Sequence, residues 1–418
     1  MSSDPAQRSS YDLIIVGGGI AGAGVARDAA LRGLATLVID KREWGWATSS
    51  RSSRLIHGGI RYLENAWTHA RAGRWRQALT ELRYVRLALR ECRTLERLAP
   101  DLVRPIELVI PLYRGGPRRP ATVRLGARLY ALLAALSGDA KWPRLLRGPR
   151  QVSELLPGLR TEGLTGGIII HDRTTDDRAL VRATIGSAVA WGAHALERTE
   201  LLSVRRGADG LFTVRARLED GSERSWACRA VVDATGPWAD RTAALGQAGP
   251  EPLIEQVAGA HIEITSFTGR SVILEAKDGR VFFMIEQGGR ARVGTTERAC
   301  GDPDGVSATR EEIEYLLASL RHYFPERAWG LSEVLSADAG IRPLARSSEG
   351  EGPTRMSREH RIITTPDGVT HLTGVKLTDH RRAAEETLDR LARSGVFRGV
   401  HVGSCRTSRV PLSETPRT

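Results

Sequence analysis

The chain has 418 residues, of which 41% are apolar and 26% charged, with 44 Gly and 19 Pro. That length allows two or three domains with a sizeable core, and the balance excludes disordered, collagen-like and integral-membrane chains. Net charge is +12, yet residues 51–150 alone hold 21 Lys and Arg against 7 Asp and Glu, so the basic character sits in one stretch.

Residues 11–16 (YDLIIV) form a short apolar run suited to a buried parallel strand. A glycine turn follows, then a helical pattern over 20–32 closed by Gly33, then a second buried strand at 36–40 (TLVID). Strand, turn, helix and strand within ~30 residues is the size of a mononucleotide-binding half. Residues 68–98 predict a long helix, with Leu79, Leu82, Val85, Leu89 and Leu95 on one face and arginines on the others. Pro100, Pro105, Pro111, Pro117 and Pro120 predict a broken stretch over 100–120, and 123–136 reads as a strongly apolar helix. A helix over 179–192 precedes alternating runs at 201–205, 211–218 and 224–229, a β-meander turned at Gly210 and Gly221. Residues 231–234 return to a buried strand, and 250–345 are strand-rich around one helix near 309–322. A last strand at 370–373 leads into a helix over 377–394, and the arginine-rich tail from Gly395 is expected to be loosely ordered.

Cys92, Cys228, Cys300 and Cys405 lie far apart with no CxxC pair, so neither a disulfide framework nor a metal site is expected. They read as reduced thiols of a cytoplasmic protein, in keeping with a polar N-terminus and no window of ~18 uninterrupted apolar residues. Arg outnumbers Lys 57 to 4, a coding bias that accounts for the residue type but not for its clustering. A cationic face of this kind seeks phosphate on a substrate or a lipid surface. Nucleic acid is not expected, because no aromatic-interleaved recognition motif accompanies the charge.

Residues 17–22 (GGGIAG) fit GxGxxG between a strand and a helix. Gly17 permits the tight turn, Gly19 lets backbone approach a pyrophosphate, and Gly22 lets helix and strand pack closely. The phosphates then meet the positive helix end. Asp40, 21 residues after Gly19, can accept hydrogen bonds from ribose hydroxyls. Residues 231–236 (VVDATG) end a second buried strand in Ala234, Thr235 and Gly236 after the meander, an arrangement of two-dinucleotide-fold flavoproteins that selects FAD over nicotinamide. The predicted fold class is therefore α/β. A Rossmann-like FAD-binding domain comprises 8–75, 160–245 and 346–394. An inserted α+β substrate domain on a mixed or antiparallel sheet comprises 76–159 and 246–345, and 395–418 form a flexible tail.

Residues 47–64 (ATSSRSSRLIHGGIRYLE) resemble the signature of the FAD-dependent glycerol-3-phosphate dehydrogenases, within the D-amino-acid-oxidase-like flavoproteins. Residues 231–240 (VVDATGPWAD), 259–261 (GAH), 293–297 (VGTTE), 340–344 (GIRPL) and 374–378 (GVKLT) match further blocks of that family in the same order. The resemblance implies oxidation of sn-glycerol 3-phosphate to dihydroxyacetone phosphate by hydride transfer to flavin N5. Electrons would pass to quinone, with the basic region lying on anionic lipid at the inner face of the cell membrane. Alternatives are oxidation of another small hydroxy acid or amine, and flavin binding without turnover. This chain departs from the family in three ways. A C-terminal helical domain normally follows, and the chain stops soon after Leu391; Val375 replaces a glycine near the flavin; and Asp379 and His380 replace Thr-Tyr.

Removing hydride from an alcohol leaves a proton for a base, and His57 and His261 are the candidates because histidine titrates near neutral pH. Arg342, in an apolar setting, suits an alkoxide or phosphate oxygen. The resemblance places Arg61, Tyr62 and Arg358 at the substrate phosphate. Lys376 is one of only four lysines and falls in the flavin-edge block, where a compact ammonium suits negative charge developing on the ring. Thr48, Ser49 and Ser50 are expected to hydrogen-bond the flavin or its phosphates, with Gly374 and Thr378 at the ring.

Overall fold

Short strands that are apolar on both faces can be buried only in a sheet covered on both sides, and this dictates the first half of the architecture. The structure, a computed structural model, describes residues 8–246, 252–345 and 360–414. Ser10–Val16 lies at the centre of the first sheet, in the order Arg361–Thr364, Thr370–Thr373, Glu223–Asp233, Ser10–Val16, Thr36–Ile39, His194–Leu196. It runs parallel to both neighbours, with Ile14 opposite Val231 on one side and Leu37 on the other. One face packs Leu13, Ile15 and Val38 against Val25, Leu180 and Leu388 of the helices Ile20–Leu31, Asp177–Ala190 and His380–Ser394. The other face packs Ile14, Leu37 and Val231 against Val214 and Trp226 of the meander.

The second sheet is mixed and follows the order Arg298–Ala299, Ile254–Thr265, Arg290–Gly294, Val281–Gln287, Ser271–Glu275, Val103–Tyr113, Leu164–Thr175, Leu55–Ile56. Val334–Ala345 pairs along Ile254–Thr265, setting Arg342 opposite Val257 and Asp338 opposite His261. Leu316, Leu317 and Leu320 of the helix Arg310–Tyr323 cover one face with Ile262 and Phe282. Ala127 of the helix Pro120–Leu136 covers the other with Leu108, Ile170 and Ile273. The α/β fold with two mixed sheets agrees with the expectation.

Several local expectations need correcting. Val103–Tyr113 is a strand despite Pro105 and Pro111, because its second edge pairs only at Leu108 and Val109 and needs no donor at the prolines. Its partner Leu164–Thr175, assigned from sequence to the FAD-binding domain, belongs to the second sheet. The long helix expected over 68–98 is two helices, Ile60–Arg71 and Trp75–Leu98, parted at Gly73, whose φ of 72° ends the first. Nor are residues 395–414 a loose tail. Arg27 donates to Thr407 O at 3.2 Å and also to Val410 O, Leu412 N–H reaches Leu98 O at 2.9 Å, and Val410 is buried. A buried guanidinium needs acceptors, and this segment supplies them.

Candidate active site

The first sheet offers backbone to the site. Gly17 turns at φ 107°, and a Cβ there would lie 2.5 Å from Ala234 O; one at Gly22 would lie 1.8 Å from Gly17 O. These two glycines serve the packing of turn, helix and second strand. At Gly19, by contrast, a Cβ would meet only Ser49 Oγ, at 3.1 Å. The helix beginning at Ile20 has no acidic residue in its first turn and no cap from Gly19. Its positive end therefore faces an open cradle that a side chain would fill, which fits a pyrophosphate. Ser49 Oγ accepts the Ile20 N–H at 3.0 Å beside that cradle.

Asp40 ends the second strand, where Oδ2 accepts Gly18 N–H at 2.6 Å and Oδ1 accepts Arg42 N–H at 2.8 Å. Burial, aided by nearby Glu197, pushes its carboxyl up to about 6 despite those bonds. Further lone pairs remain for ribose hydroxyls. Ala234, Thr235 and Gly236 act one step removed. Ala234 O backs Gly17, the Thr235 hydroxyl donates to Asp233 Oδ1 at 2.6 Å, and Gly236 turns at φ 60°. The Thr48 hydroxyl donates to Ile341 O at 2.7 Å and that of Ser50 to Trp46 O at 3.0 Å, so each tethers protein to protein.

Between the sheets lies a cavity of about 2420 Å³ whose wall includes Ser49, His57, Arg61, His261, Arg342 and Lys376. Ligand pockets are commonly about 300–1,000 Å³, so a dinucleotide and a small substrate can share this space. Arg342 Nη1 lies 2.9 Å from Glu297 Oε1, and Arg61 Nη1 lies 3.4 Å from the same oxygen. Arg342 Nη2 also donates to Thr295 Oγ1 at 3.0 Å. Burial holds this guanidinium below its ordinary pKa against the pull of Glu297, and Arg61 adds to the lowering. Lys376 Nζ donates to the Tyr62 hydroxyl and stands 4.4 Å from the centre of that ring. Arg358 lies outside the described residues.

The two histidines differ in kind. His57 Nδ1 accepts the Gly59 N–H at 3.0 Å, so the neutral ring carries its proton on Nε2 and its acceptor lone pair is engaged by backbone. His261 is buried with Nε2 2.9 Å from Ser53 Oγ, and its Nδ1 has no hydrogen-bond partner among the described residues. Burial, reinforced by Arg292, Arg342 and Arg54, keeps this ring neutral far below the usual histidine range. Thr378 Oγ1 accepts the His57 N–H at 3.2 Å, and Gly374 turns at φ 72° just before Val375, whose side chain rests on the core of the first sheet.

Other groups that serve the site carry weak local signals. Asp379 Oδ1 accepts the Lys376 N–H at 2.9 Å, and His360 bridges Asp379 at 3.4 Å and Glu386 at 2.8 Å. Burial opposes the charge on His360, but the two carboxylates raise its pKa to about 9. His380 instead points into the core beside Gly24, where burial pushes it down to about 4. The Tyr130 hydroxyl accepts the Gly58 N–H at 2.7 Å and donates to buried Asp172 at 2.8 Å, fixing the turn that carries His57. Burial pushes Asp172 up to about 7, with Tyr130 and Arg173 opposing.

Residues 12–378 match the family model described as FAD-dependent oxidoreductase. The chain is 34% identical over 409 residues to a glycerol-3-phosphate dehydrogenase of Synechocystis sp., covering 92% of this chain and 70% of that protein. It is 33% identical over 400 residues to the D-erythritol 1-phosphate dehydrogenase of Brucella abortus, covering 92% of this chain and 74% of that protein. Among solved structures it is similar to the glycerol-3-phosphate dehydrogenase from Bacillus halodurans complexed with FAD, with a TM-score of 0.75 and 26% identity, covering 97% of this chain and 68% of that one.

Proposed function

The chain belongs to the FAD-dependent oxidoreductase family, with FAD as its cofactor, and from that premise we propose that it oxidises sn-glycerol 3-phosphate to dihydroxyacetone phosphate. The observation that carries the reading is one cavity whose wall brings Ile20 and Ser49, which flank the Gly19 cradle, together with the cationic groups Arg61, Arg342 and Lys376. Arg61 and Tyr62 take the phosphate through charge-assisted hydrogen bonds, with Arg358 as a further arm. Arg342 holds the C2 oxygen as its negative charge develops. His261, whose Nδ1 has no partner among the described residues, is the base we assign to the hydroxyl proton; the arginines beside it lower its basicity and favour the alkoxide. The Gly19 cradle, Asp40 and the Gly374 turn would hold FAD, which would supply a two-electron acceptor for the hydride of C2. Lys376, two residues beyond the Gly374 turn, would offset negative charge developing on a bound flavin.

The final acceptor in this reading is a membrane quinone. Leu125, Leu129, Leu132 and Leu136 form an exposed stripe on Pro120–Leu136, and Trp67, Trp75 and Trp142 are also exposed. Apolar side chains among so many arginines suit an anionic lipid surface. Among the described residues no helix is long and apolar enough to cross a membrane, so the chain would lie on the bilayer. D-erythritol 1-phosphate is a second candidate substrate, favoured by the cavity's size and by the Brucella relative.

Anaerobic flavin bleaching tests the reading. Glycerol 3-phosphate is expected to reduce the flavin orders of magnitude faster than glycerol, because phosphate binding orients C2. Equal rates, or a flavin that glycerol 3-phosphate leaves oxidised, would point to another small substrate or to binding without turnover.

A further inference from the structure

The cationic groups are not independent. Arg61 comes from the helix Ile60–Arg71 and Arg342 from the strand Val334–Ala345, yet both guanidiniums meet the same oxygen of Glu297, at 3.4 and 2.9 Å. Glu297 follows the strand Arg290–Gly294, so three separate elements converge on one carboxylate. Its side chain is 17% exposed, against 38% for Arg61 and 31% for Arg342, so the carboxylate lies deeper than the cations it joins. Two guanidiniums repel at this range, and a shared carboxylate is what allows them to stand together. In the reading above, Arg61 holds the phosphate and Arg342 holds the oxygen on the reacting carbon. Their separation is therefore a ruler between the two ends of the substrate.

We propose that Glu297 is the positioning residue that sets this span, and so decides between a three-carbon and a four-carbon polyol phosphate. The inference rests on the phosphate assignment of Arg61. Glu297 makes no bond to the reacting atoms; it acts through the two arginines, and its removal blurs length discrimination without removing the cofactor site.

The test uses the FAD-loaded protein with glycerol 3-phosphate and D-erythritol 1-phosphate as substrates and inorganic phosphate as inhibitor. In Glu297→Gln the ratio of kcat/KM between the two substrates is expected to shrink by about tenfold, the loss falling on kcat for the preferred substrate as its C2 loses alignment. Inorganic phosphate should inhibit this variant about tenfold more tightly, because a free anion can now sit between arginines released from their carboxylate. Glu297→Asp keeps the charge on a shorter arm, so it should blur the substrate ratio while leaving phosphate inhibition at the parent level. A parent-like ratio in both variants, at full flavin content, overturns the ruler. A parent protein whose flavin is not reduced by either phosphate overturns the phosphate reading itself, which is a different result.

Discussion

In the first sheet the groups proposed to hold the cofactor are backbone: the N–H groups beyond Gly19, the turn at Gly17 and the αL bend at Gly374. In the second sheet they are long side chains, Arg342, His261 and Glu297, delivered from three strands or strand ends, with Arg342 paired to Glu297 and His261 to Ser53. A backbone site is defined by the absence of side chains, so one methyl group can abolish it. A side-chain site loses strength by degrees when one member changes, and depends on partners far away in the chain. The same cavity thus joins a brittle half and an adjustable half.

The sharpest break in that comparison comes from the glycines. Gly19→Val is expected to abolish FAD retention in a folded protein, since its Cβ meets only Ser49 Oγ, at 3.1 Å. Gly22→Val should cost folding itself, because a Cβ there lies 1.8 Å from Gly17 O. Flavin absorbance alongside thermal melting separates the two, and a yellow Gly19→Val protein would remove the cradle from the argument. Next in size is Arg61→Ala, which should erase most of the preference for glycerol 3-phosphate over glycerol. Each charge-assisted bond is worth roughly 1.5–3 kcal/mol, or about 10- to 150-fold in rate. Lys376→Met should slow both substrates alike, and a selective loss on the phosphorylated one would move Lys376 to the phosphate.

A smaller effect is expected behind the turn that carries His57. Tyr130→Phe leaves the Gly58 N–H and buried Asp172 short of a partner, which should destabilise the protein by about 1–3 kcal/mol in denaturant titration. Unchanged stability would mean that water replaces the hydroxyl. The smallest effect is a pH dependence at His360, whose pKa rises from 6.5 to about 9 between Asp379 and Glu386. A raised value in the folded state stabilises fully below the ordinary value and is lost as pH climbs through about 9. The difference in melting temperature between the parent and His360→Gln should therefore be largest near pH 6 and vanish near pH 10.

The two halves also differ in how far they can be read from residues alone. The unit from Tyr11 to Asp40 is legible because periodicity, turn glycines and the acid fall within thirty residues and act through local geometry. Arg61, His261, Arg342 and Lys376 are legible only as candidates, since their convergence is set by sheet register. Asp172 carries no local signal at all; it matters because Leu164–Thr175 pairs with a strand whose prolines disguise it. Prolines mislead where one strand edge is unpaired, and Gly73 misleads where a short helix abuts a long one. Thr48 and Ser50 show the converse: residue types suited to phosphate that tether the protein to itself.

The segment beyond Gly395 has a bearing on how the protein is made. Arg27, in the first helix, donates to carbonyls of Thr407 and Val410, partners 380 or more residues away. At a synthesis rate of about 5–20 residues per second, that leaves the guanidinium waiting about 20–80 s on the ribosome. The half that carries the glycine turn, although its signal is complete within the first forty residues, cannot close these polar contacts until residues 407–410 have emerged. The emergence of that distant segment, not local propensity, therefore times the closing of these contacts.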